Sequence, residues 1–190
     1  MATYHEGEIE VQTRAGVRAM AEQVGHSIRN LISPSAAAFA PLQRLAIVGS
    51  VASDGGVWAS AVAGEPGYLS VPDLHSLQVA TPRTDDPLWT NLQQNPAIGV
   101  LILDPVMRRL RINGPAELTD QGFLLRVEQA YTNCAQYIQQ RAPEITAMDP
   151  GERRQMHSRL LLPRQQAWIV GADTFFLATA HPAIGTDASH

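Results

Sequence analysis

Residues 44–64 read RLAIVGSVASDGGVWASAVAG, two apolar runs joined by Asp54-Gly55-Gly56. Each run has the length of a strand, and an Asp-Gly-Gly junction is typical of a tight turn between antiparallel strands. The stretch therefore predicts a β-hairpin.

Further strand-sized segments follow this hairpin. Residues 68–71 (YLSV) come after the turn GEPG, residues 97–103 (AIGVLIL) form an apolar run, and residues 107–118 (MRRLRINGPAEL) alternate in polarity up to Gly114-Pro115. Residues 167–180 (AWIVG-AD-TFFLATA) are interpreted as another hairpin. Closely spaced strands of this kind favour antiparallel pairing over a βαβ sheet.

Four segments predict helices beside the strands, one of which is residues 151–161 (GERRQMHSRLL). Val17, Met20 and Val24 recur at steps of three and four within residues 13–31, so we expect an amphipathic helix there with Thr13 as a possible N-cap. Residues 86–96 (DPLWTNLQQNP) predict a short helix that begins with a capping aspartate and a proline. A third helix is expected from about residue 120 to residue 141. Together these elements predict a mainly β fold with α additions, most simply a small β-barrel.

The composition excludes several classes of site. The chain of 190 residues has a net charge of −4, one cysteine and 14 basic residues, all of them arginine. Without lysine there is neither a pyridoxal phosphate Schiff base nor a Walker A lysine, and one cysteine excludes an intramolecular disulfide. The six histidines are scattered, so no metal site is expected.

The bulk properties also bear on location and partners. The mildly acidic charge gives no reason to propose nucleic acid as a partner. The apolar runs are far shorter than the roughly 20 residues of a membrane span, and the start MATYHEGEIE lacks the features of a signal peptide. We therefore expect a cytoplasmic protein.

The segment around the arginines is the most informative one for function. Strand alternation places Arg109, Arg111 and Asn113 on one face and Leu110 and Ile112 on the other. Two neighbouring arginines repel each other unless an anion or water lies between them. The strand predicts an anion or polar-ligand site, with a solvated face or a dimer contact as the alternative.

Two other segments carry side chains suited to the same site. Trp58 and Ser60 share a strand face, as do Tyr68 and Ser70, and a loop with Asp73, His75 and Ser76 follows. Hydroxyls, backbone amides and flat side chains suit a phosphorylated planar cofactor.

Residues 131–141 (YTNCAQYIQQR) contain the single cysteine. In the predicted helix, Cys134 continues an apolar line from Leu124, Val127 and Tyr131, which indicates a packed structural residue and not a nucleophile. A hydrolase built on Cys134 is disfavoured, since nothing in the sequence brings a histidine beside it. No side chain stands out as an acid–base catalyst.

The chain resembles the pyridoxamine 5′-phosphate oxidase-like superfamily of FMN-binding split barrels, in the branch called pyridoxamine 5′-phosphate oxidase-related. The segments that carry the resemblance are YHEGE with VQTRAG, VGSVASDGGVWASAVAGEPGYL, DPLWTNLQQNPAIGVLIL, RRLRINGPAEL and VEQAYTNCAQYIQQR.

This resemblance implies a six-stranded antiparallel split β-barrel with flanking helices that forms a homodimer, with FMN in a groove between the subunits. Carried over by position, it implies ten cofactor-binding residues: Trp58, Ala59, Ser60, Tyr68, Leu69, Ser70, His75, Ser76, Arg109 and Arg111.

The chain departs from the family pattern at three places. The region corresponding to DLHSLQ lacks the lysine of true pyridoxamine phosphate oxidases, so oxidation of pyridoxamine phosphate is not expected. The segment NCAQY stands where the closer branch has asparagine-cysteine-proline-lysine-tyrosine. We expect the split barrel and its N-terminal helix over residues 1–163, and over residues 164–190 a hairpin-like extension that resembles the start of a second, truncated barrel.

Two functions follow from these observations. One is an FMN-dependent oxidoreductase of unknown substrate, reduced by an external donor such as a nicotinamide nucleotide. The other is a non-catalytic module with a degenerate flavin site, which binds a flavin, haem or another anion, or no cofactor at all.

Overall fold

The computed structural model describes residues 4–104, 108–133, 138–141 and 160–189. Within these ranges the strands are β1 Leu45–Val51, β2 Val57–Ala63, β3 Leu69–Asp73, β4 Ser76–Ala80, β5 Ala97–Leu103, β6 Arg109–Thr119, β7 Gly122–Arg126, β8 Gln129–Thr132, β9 Leu177–His181 and β10 Gly185–Ser189. The helices are α1 Glu6–Arg14, α2 Arg18–Gly25, α3 Pro34–Phe39, α4 Pro87–Gln94 and α5 Pro163–Gly171.

The strands β1 to β8 form one antiparallel sheet, and β9 and β10 form a separate two-stranded one. In the larger sheet the order is β2-β1-β5-β6-β7-β4-β3, and β8 pairs with β6. The predicted class, a mainly β antiparallel fold with flanking helices, is confirmed.

The hairpin read from residues 44–64 is present. Leu45 pairs with Ala63 and Val51 with Val57, so the two strands meet over their full length around the Asp-Gly-Gly turn. The short helix over residues 86–96 is confirmed as α4, where the Asp86 carboxylate accepts a hydrogen bond from the Leu88 amide and caps the helix.

The central strand β6 pairs with different strands along its length. Its first residues pair with β5 as far as Pro115, and from Ala116 onward it pairs with β7. The strand therefore continues through the predicted interruption at Gly114-Pro115. Leu110 and Ile112 lie in the core, 3% and 0% exposed, which confirms the predicted faces of this strand.

The predicted N-terminal helix over residues 13–31 is wrong in its bounds. Two short helices, α1 and α2, replace it, because Gly16 adopts a positive φ of 69° that ends the first one. The N-cap is His5 and not Thr13, whose hydroxyl instead donates to the Ile9 carbonyl within α1. None of the described helices combines the length and the apolar composition that a membrane crossing needs.

The helix expected from residue 120 to residue 141 is wrong, since β7 and β8 occupy residues 122–132. Thr119 pairs with Gly122 across a two-residue turn, and Gly122 has the positive φ of 147° that this turn requires. Phe123 and Leu125 then point into the core with 0% exposure. Cys134 lies outside the described residues, and so do residues 151–159 of the helix predicted over residues 151–161.

The C-terminal hairpin also differs from its predicted position. Trp168–Gly171 belong to helix α5 because Pro163 starts a helix there, and the hairpin is formed by β9 and β10. The division of the chain at residue 163 stays a prediction.

The burial of two neighbouring leucines distinguishes the observed strand β7 from the helix predicted over the same residues. Leu125 is fully buried in β7, whereas Leu124 is only half-buried on the other face. We expect Leu125→Ala to lower the free energy of unfolding by about 2–5 kcal/mol, and Leu124→Ala by less than about half of that. Chemical denaturation of both variants measures the difference. Equal losses of unfolding free energy in the two variants, or a larger loss for Leu124→Ala, would contradict the assignment of these residues to a strand.

Candidate functional site

A shallow groove on the outer face of the sheet holds the C-terminal hairpin. Gly49 of β1 and Gly99 of β5 are paired side by side, so two neighbouring positions carry no side chain. A Cβ atom on Gly49 would lie 2.9 Å from the Asp187 carbonyl oxygen, and one on Gly99 would lie 2.6 Å from the Asp187 carbonyl carbon. Only glycine permits the β10 backbone to approach so closely.

This docking brings Asp187 onto Arg111. The Arg111 Nε donates to Asp187 Oδ1 at 3.1 Å, and the Nη2 of the same guanidinium forms an ion pair with Oδ2. The Tyr131 hydroxyl lies 3.3 Å from the same Oδ2, and the Arg111 guanidinium carbon lies 4.6 Å from the centre of the Tyr131 ring. Arg111 therefore donates through two nitrogens to one carboxylate, and its guanidinium also lies over the Tyr131 ring.

The hairpin borders a half-open cavity of about 780 Å³, whose other walls are the N-terminal helices and strands β6 and β8. We call it the hairpin cavity. Residues that line it and matter for its chemistry are Glu8, Arg111, Asn113, Tyr131, Thr186 and Asp187.

Two histidines form one wall of the hairpin cavity. The rings of His5 and His181 are stacked with their centres 4.4 Å apart. The Nδ1 of His5 accepts from the backbone amides of Gly7 and Glu8 at the start of α1, and its Nε2 lies 3.6 Å from the Glu8 carboxylate. His5 is thus oriented by the helix cap.

Two buried polar groups in the cavity wall have no hydrogen-bond partner among the described residues. The side-chain oxygens concerned are Asn113 Oδ1 and Thr186 Oγ1, on residues 7% and 3% exposed. Asn113 already donates from Nδ2 to Gln129 Oε1 at 3.3 Å. A buried acceptor without a donor is costly, so Asn113 Oδ1 is a natural contact point for a ligand N–H.

Burial changes the protonation properties of the cavity floor. Desolvation lowers the pKa of the Arg111 guanidinium and raises the pKa of the Tyr131 phenol, although the positive charge of Arg111 partly offsets the second change. Both groups keep their ordinary charge at neutral pH, because the starting values are far from it.

Arg109, predicted to act together with Arg111, has different partners. Its Nη1 donates to the carbonyl oxygens of Asp104 and Arg108, while its Nε has no acceptor among the described residues. Desolvation lowers the pKa of this guanidinium. The two guanidinium groups therefore have different hydrogen-bond partners among the described residues.

The hydroxyl groups among the predicted site residues are largely used inside the protein. Ser60 donates to Asp86, the cap of α4, at 2.6 Å, and Ser76 donates to Asp73 at 2.7 Å. The hydrogen bond from the Ser76 hydroxyl, and to a smaller extent the one from the His75 backbone amide, lowers the pKa of Asp73. Tyr68 reaches the Val62 carbonyl at 3.3 Å from within the core.

The remaining predicted residues lie on both edge strands of the sheet. Trp58 and Ala59 are exposed on β2, while Leu69 is fully buried and Ser70 half-buried on β3. His75 lies on the β3–β4 turn, where Nδ1 is 2.9 Å from the Asn30 carbonyl. Of the ten residues, Arg111 alone is among those that line the described hairpin cavity.

Sequence reasoning missed the groups that complete the site. Asp187 and Thr186 come from the hairpin, and no local pattern in the sequence marks them as partners of a strand 76 residues earlier. Tyr131 was assigned to a helix, so its position beside Arg111 on the neighbouring strand β8 was not foreseen.

The hairpin cavity suits the ring of a flavin better than its phosphate. Its volume lies within the usual range of roughly 300–1,000 Å³ for ligand pockets, and Asn113 offers an acceptor to a ring N–H. A phosphate beside Arg111 would instead meet the Asp187 carboxylate, which already occupies the guanidinium. Within the described ranges, no group of three or more metal-ligating side chains is arranged to hold an ion.

Alkaline titration tests the burial of Tyr131. A phenol whose pKa is raised in the folded state stabilises the protein below its ordinary pKa of about 10, and that stability is lost as the pH rises toward the folded-state value. We expect Tyr131→Phe to lose less stability than the unchanged protein between neutral and strongly alkaline pH. Thermal unfolding across this range measures it, and parallel losses in the two proteins would rule out the raised pKa.

Comparisons with known proteins give matches among solved structures. No protein-family model matches the chain, and a search of curated proteins gives no match. HupZ of Group A Streptococcus is 17% identical with a TM-score of 0.45, and the match covers 53% of this chain and 93% of that one. An F420 reductase is 16% identical with a TM-score of 0.37, covering 50% of this chain and 94% of that one.

A proposed pyridoxamine 5′-phosphate oxidase of Listeria innocua is 17% identical with a TM-score of 0.35, and the match covers 50% of this chain and 93% of that one. These matches cover about half of this chain and nearly the whole of each solved structure.

Proposed function

We propose that the protein binds a flavin-class cofactor in the hairpin cavity and acts as a flavin-dependent oxidoreductase. The observation that carries this proposal is the cavity itself, built on the arginine strand that the family resemblance singles out. It combines a stacked arginine and tyrosine with a buried acceptor that lacks a donor.

The cavity residues would hold a planar ring in distinct ways. Asn113 Oδ1 is placed to accept from a ring N–H, and the Thr186 hydroxyl can donate or accept beside it. Tyr131 and the His5–His181 pair supply flat surfaces. The ion pair of Arg111 and Asp187 keeps this wall close to neutral, which favours an uncharged ring.

A bound flavin supplies the hydride or electron transfer, while the protein supplies position and electrostatics. In this proposal Asn113 fixes the orientation of the ring edge, and the hairpin shields it from water. The donor would be an external reductant, of which a nicotinamide nucleotide is the simplest choice. In the cavity wall, His5 and Glu8 are engaged in the helix cap and Arg111 and Asp187 in the ion pair, which suits chemistry centred on the cofactor.

The alternative location for the cofactor is a homodimer interface, where FMN would be bound by the ten residues named from the family resemblance. Its support is the arginine strand and the exposed Trp58 on edge strand β2, 41% accessible and therefore available to a second subunit. The internal hydrogen bonds of Ser60 and Ser76 leave backbone amides and Arg109 as the donors for a phosphate in that arrangement.

A non-catalytic binding module is the second candidate. The observation that favours it is the engagement of Arg111 by Asp187, since an arginine that is already paired within the chain cannot also serve a cofactor phosphate. Such a module would retain the cavity and bind a flavin, haem or another ligand without turnover.

Absorbance spectroscopy separates the two candidates. We expect the protein, mixed with riboflavin or FMN and freed of excess ligand, to retain the visible flavin band and to bleach when a nicotinamide nucleotide is added without oxygen. Retention without bleaching by this or a chemical hydride donor would favour the binding module. A protein that retains neither flavin would refute both flavin proposals.

A matched pair of variants distinguishes the hairpin cavity from the predicted interface site. Asn113→Ala removes the unpartnered acceptor in the cavity, and we expect it to weaken flavin binding about tenfold, the loss of roughly one hydrogen bond. Trp58→Ala alters only the exposed face of β2 and should leave binding unchanged. Quenching of flavin fluorescence measures both, and the opposite order of effects would place the ligand at the interface site instead.

A further inference from the structure

Asp187 already makes the contacts that an anionic ligand would make with Arg111. Its two oxygens face Nε and Nη2 of the guanidinium, and Tyr131 approaches Oδ2 as a further donor. This paired arrangement is the one that a carboxylate or phosphate uses on arginine. The third nitrogen of the guanidinium, Nη1, lies 3.5 Å from Asn133 Oδ1.

The backbone of β10 holds this carboxylate in place. Asp187 pairs with Thr179 of β9, and its main chain lies over Gly49 and Gly99 at distances that leave no space for a Cβ atom. Ala188, the next residue of β10, is 0% exposed. An anion could reach Nε and Nη2 of Arg111 only by displacing a carboxylate that the fold itself places there.

The other charges around the cavity act in the same direction. Glu8 and Asp173 also line it, and Asp173 is paired with Arg141 at 2.6 Å. Because Arg111 is paired with Asp187 and Arg141 with Asp173, neither arginine offers an unpaired positive charge to an anion, and Glu8 adds a carboxylate to the wall. The unpartnered Asn113 Oδ1 adds an acceptor and no positive charge.

We propose that Asp187 is a specificity-determining residue, which occupies the Arg111 guanidinium and makes the hairpin cavity select uncharged, N–H-bearing planar ligands over phosphorylated ones. The choice of a flavin ring as the ligand rests on the proposed function, whereas the exclusion of anions by Asp187 does not. The unphosphorylated form of such a ring is then the preferred ligand, which differs from the FMN that the family resemblance implies.

The first test needs no variant. Riboflavin and FMN carry the same ring and differ by the phosphate, so their dissociation constants isolate its effect. We expect the unchanged protein to bind riboflavin at least ten times more tightly than FMN. Equal affinities, or tighter binding of FMN, would overturn the proposal.

The second test removes the charge of Asp187 while keeping its shape. In Asp187→Asn the guanidinium loses its counter-charge, so we expect FMN affinity to rise at least tenfold while riboflavin affinity changes little. Inorganic pyrophosphate should raise the melting temperature of this variant. It should not change the melting temperature of the protein without the substitution. Asp187→Ser, which also lacks the charge, serves if the asparagine variant fails to fold.

Glu65→Gln is the matched control. It removes a carboxylate from another arginine pair, Arg44–Glu65 at 2.6 Å, which lies outside the hairpin cavity. We expect it to leave both flavin affinities and the pyrophosphate response unchanged. Folded Asp187 variants that gain no response to pyrophosphate, or a gain of the same size in Glu65→Gln, would refute the role of Asp187.

The two proposals fail in different ways. If neither flavin binds any of the proteins, the proposed function is wrong, and the pyrophosphate response still decides whether Asp187 blocks the anion site. If flavins bind but the phosphate makes no difference in any variant, the cavity holds a flavin and the role assigned to Asp187 is wrong.

Discussion

The contact between the hairpin backbone and the paired glycines, Gly49 and Gly99, is the constraint on which the site depends. The two residues face each other on neighbouring strands, so a strip of the sheet surface is bare main chain. A side chain at either position would lift β10 away from the sheet. The ion pair, the position of Thr186 and the closure of the cavity all follow from this one close approach.

The ion pair that results has a double effect on the site. A guanidinium in a partly desolvated place requires a counter-charge, and breaking such a pair by removing one partner is generally more costly than its net contribution. Asp187 meets that requirement from within the chain. The same contact removes the positive charge that the strand would otherwise present to a ligand, so stability and ligand choice are coupled in one residue.

Local patterns predicted the parts of the fold that local physics determines. The hairpin of residues 44–64, the capped helix α4 and the two faces of β6 were all readable, because turn residues, caps and alternation act over a few positions. The helix predicted over residues 122–132 was wrong because two periodicities overlap there. Leu124, Val127 and Tyr131 have helical spacing, yet Phe123 and Leu125 beside them have strand alternation, and pairing with β4 and β6 favoured the strand.

The candidate site was predictable only in part, since it joins distant segments. Arg111 and Asn113 were visible as polar residues on one strand face, but their surroundings depend on which strand lies next to β6 and on what covers the sheet. Tyr131 arrives through the β6–β8 pairing, and Asp187 through a docking contact that sequence periodicity does not encode.

The distance along the chain between Arg111 and Asp187 also has a consequence for folding order. The partners are 76 residues apart, whereas the ladder that joins β5 to β6 closes over a short connection. Contacts between distant segments pay a larger loop-closure entropy and therefore form late. The strands around Arg111 can assemble while its guanidinium is still solvated, and the arrival of the hairpin then covers this part of the sheet and forms the hairpin cavity in the same step.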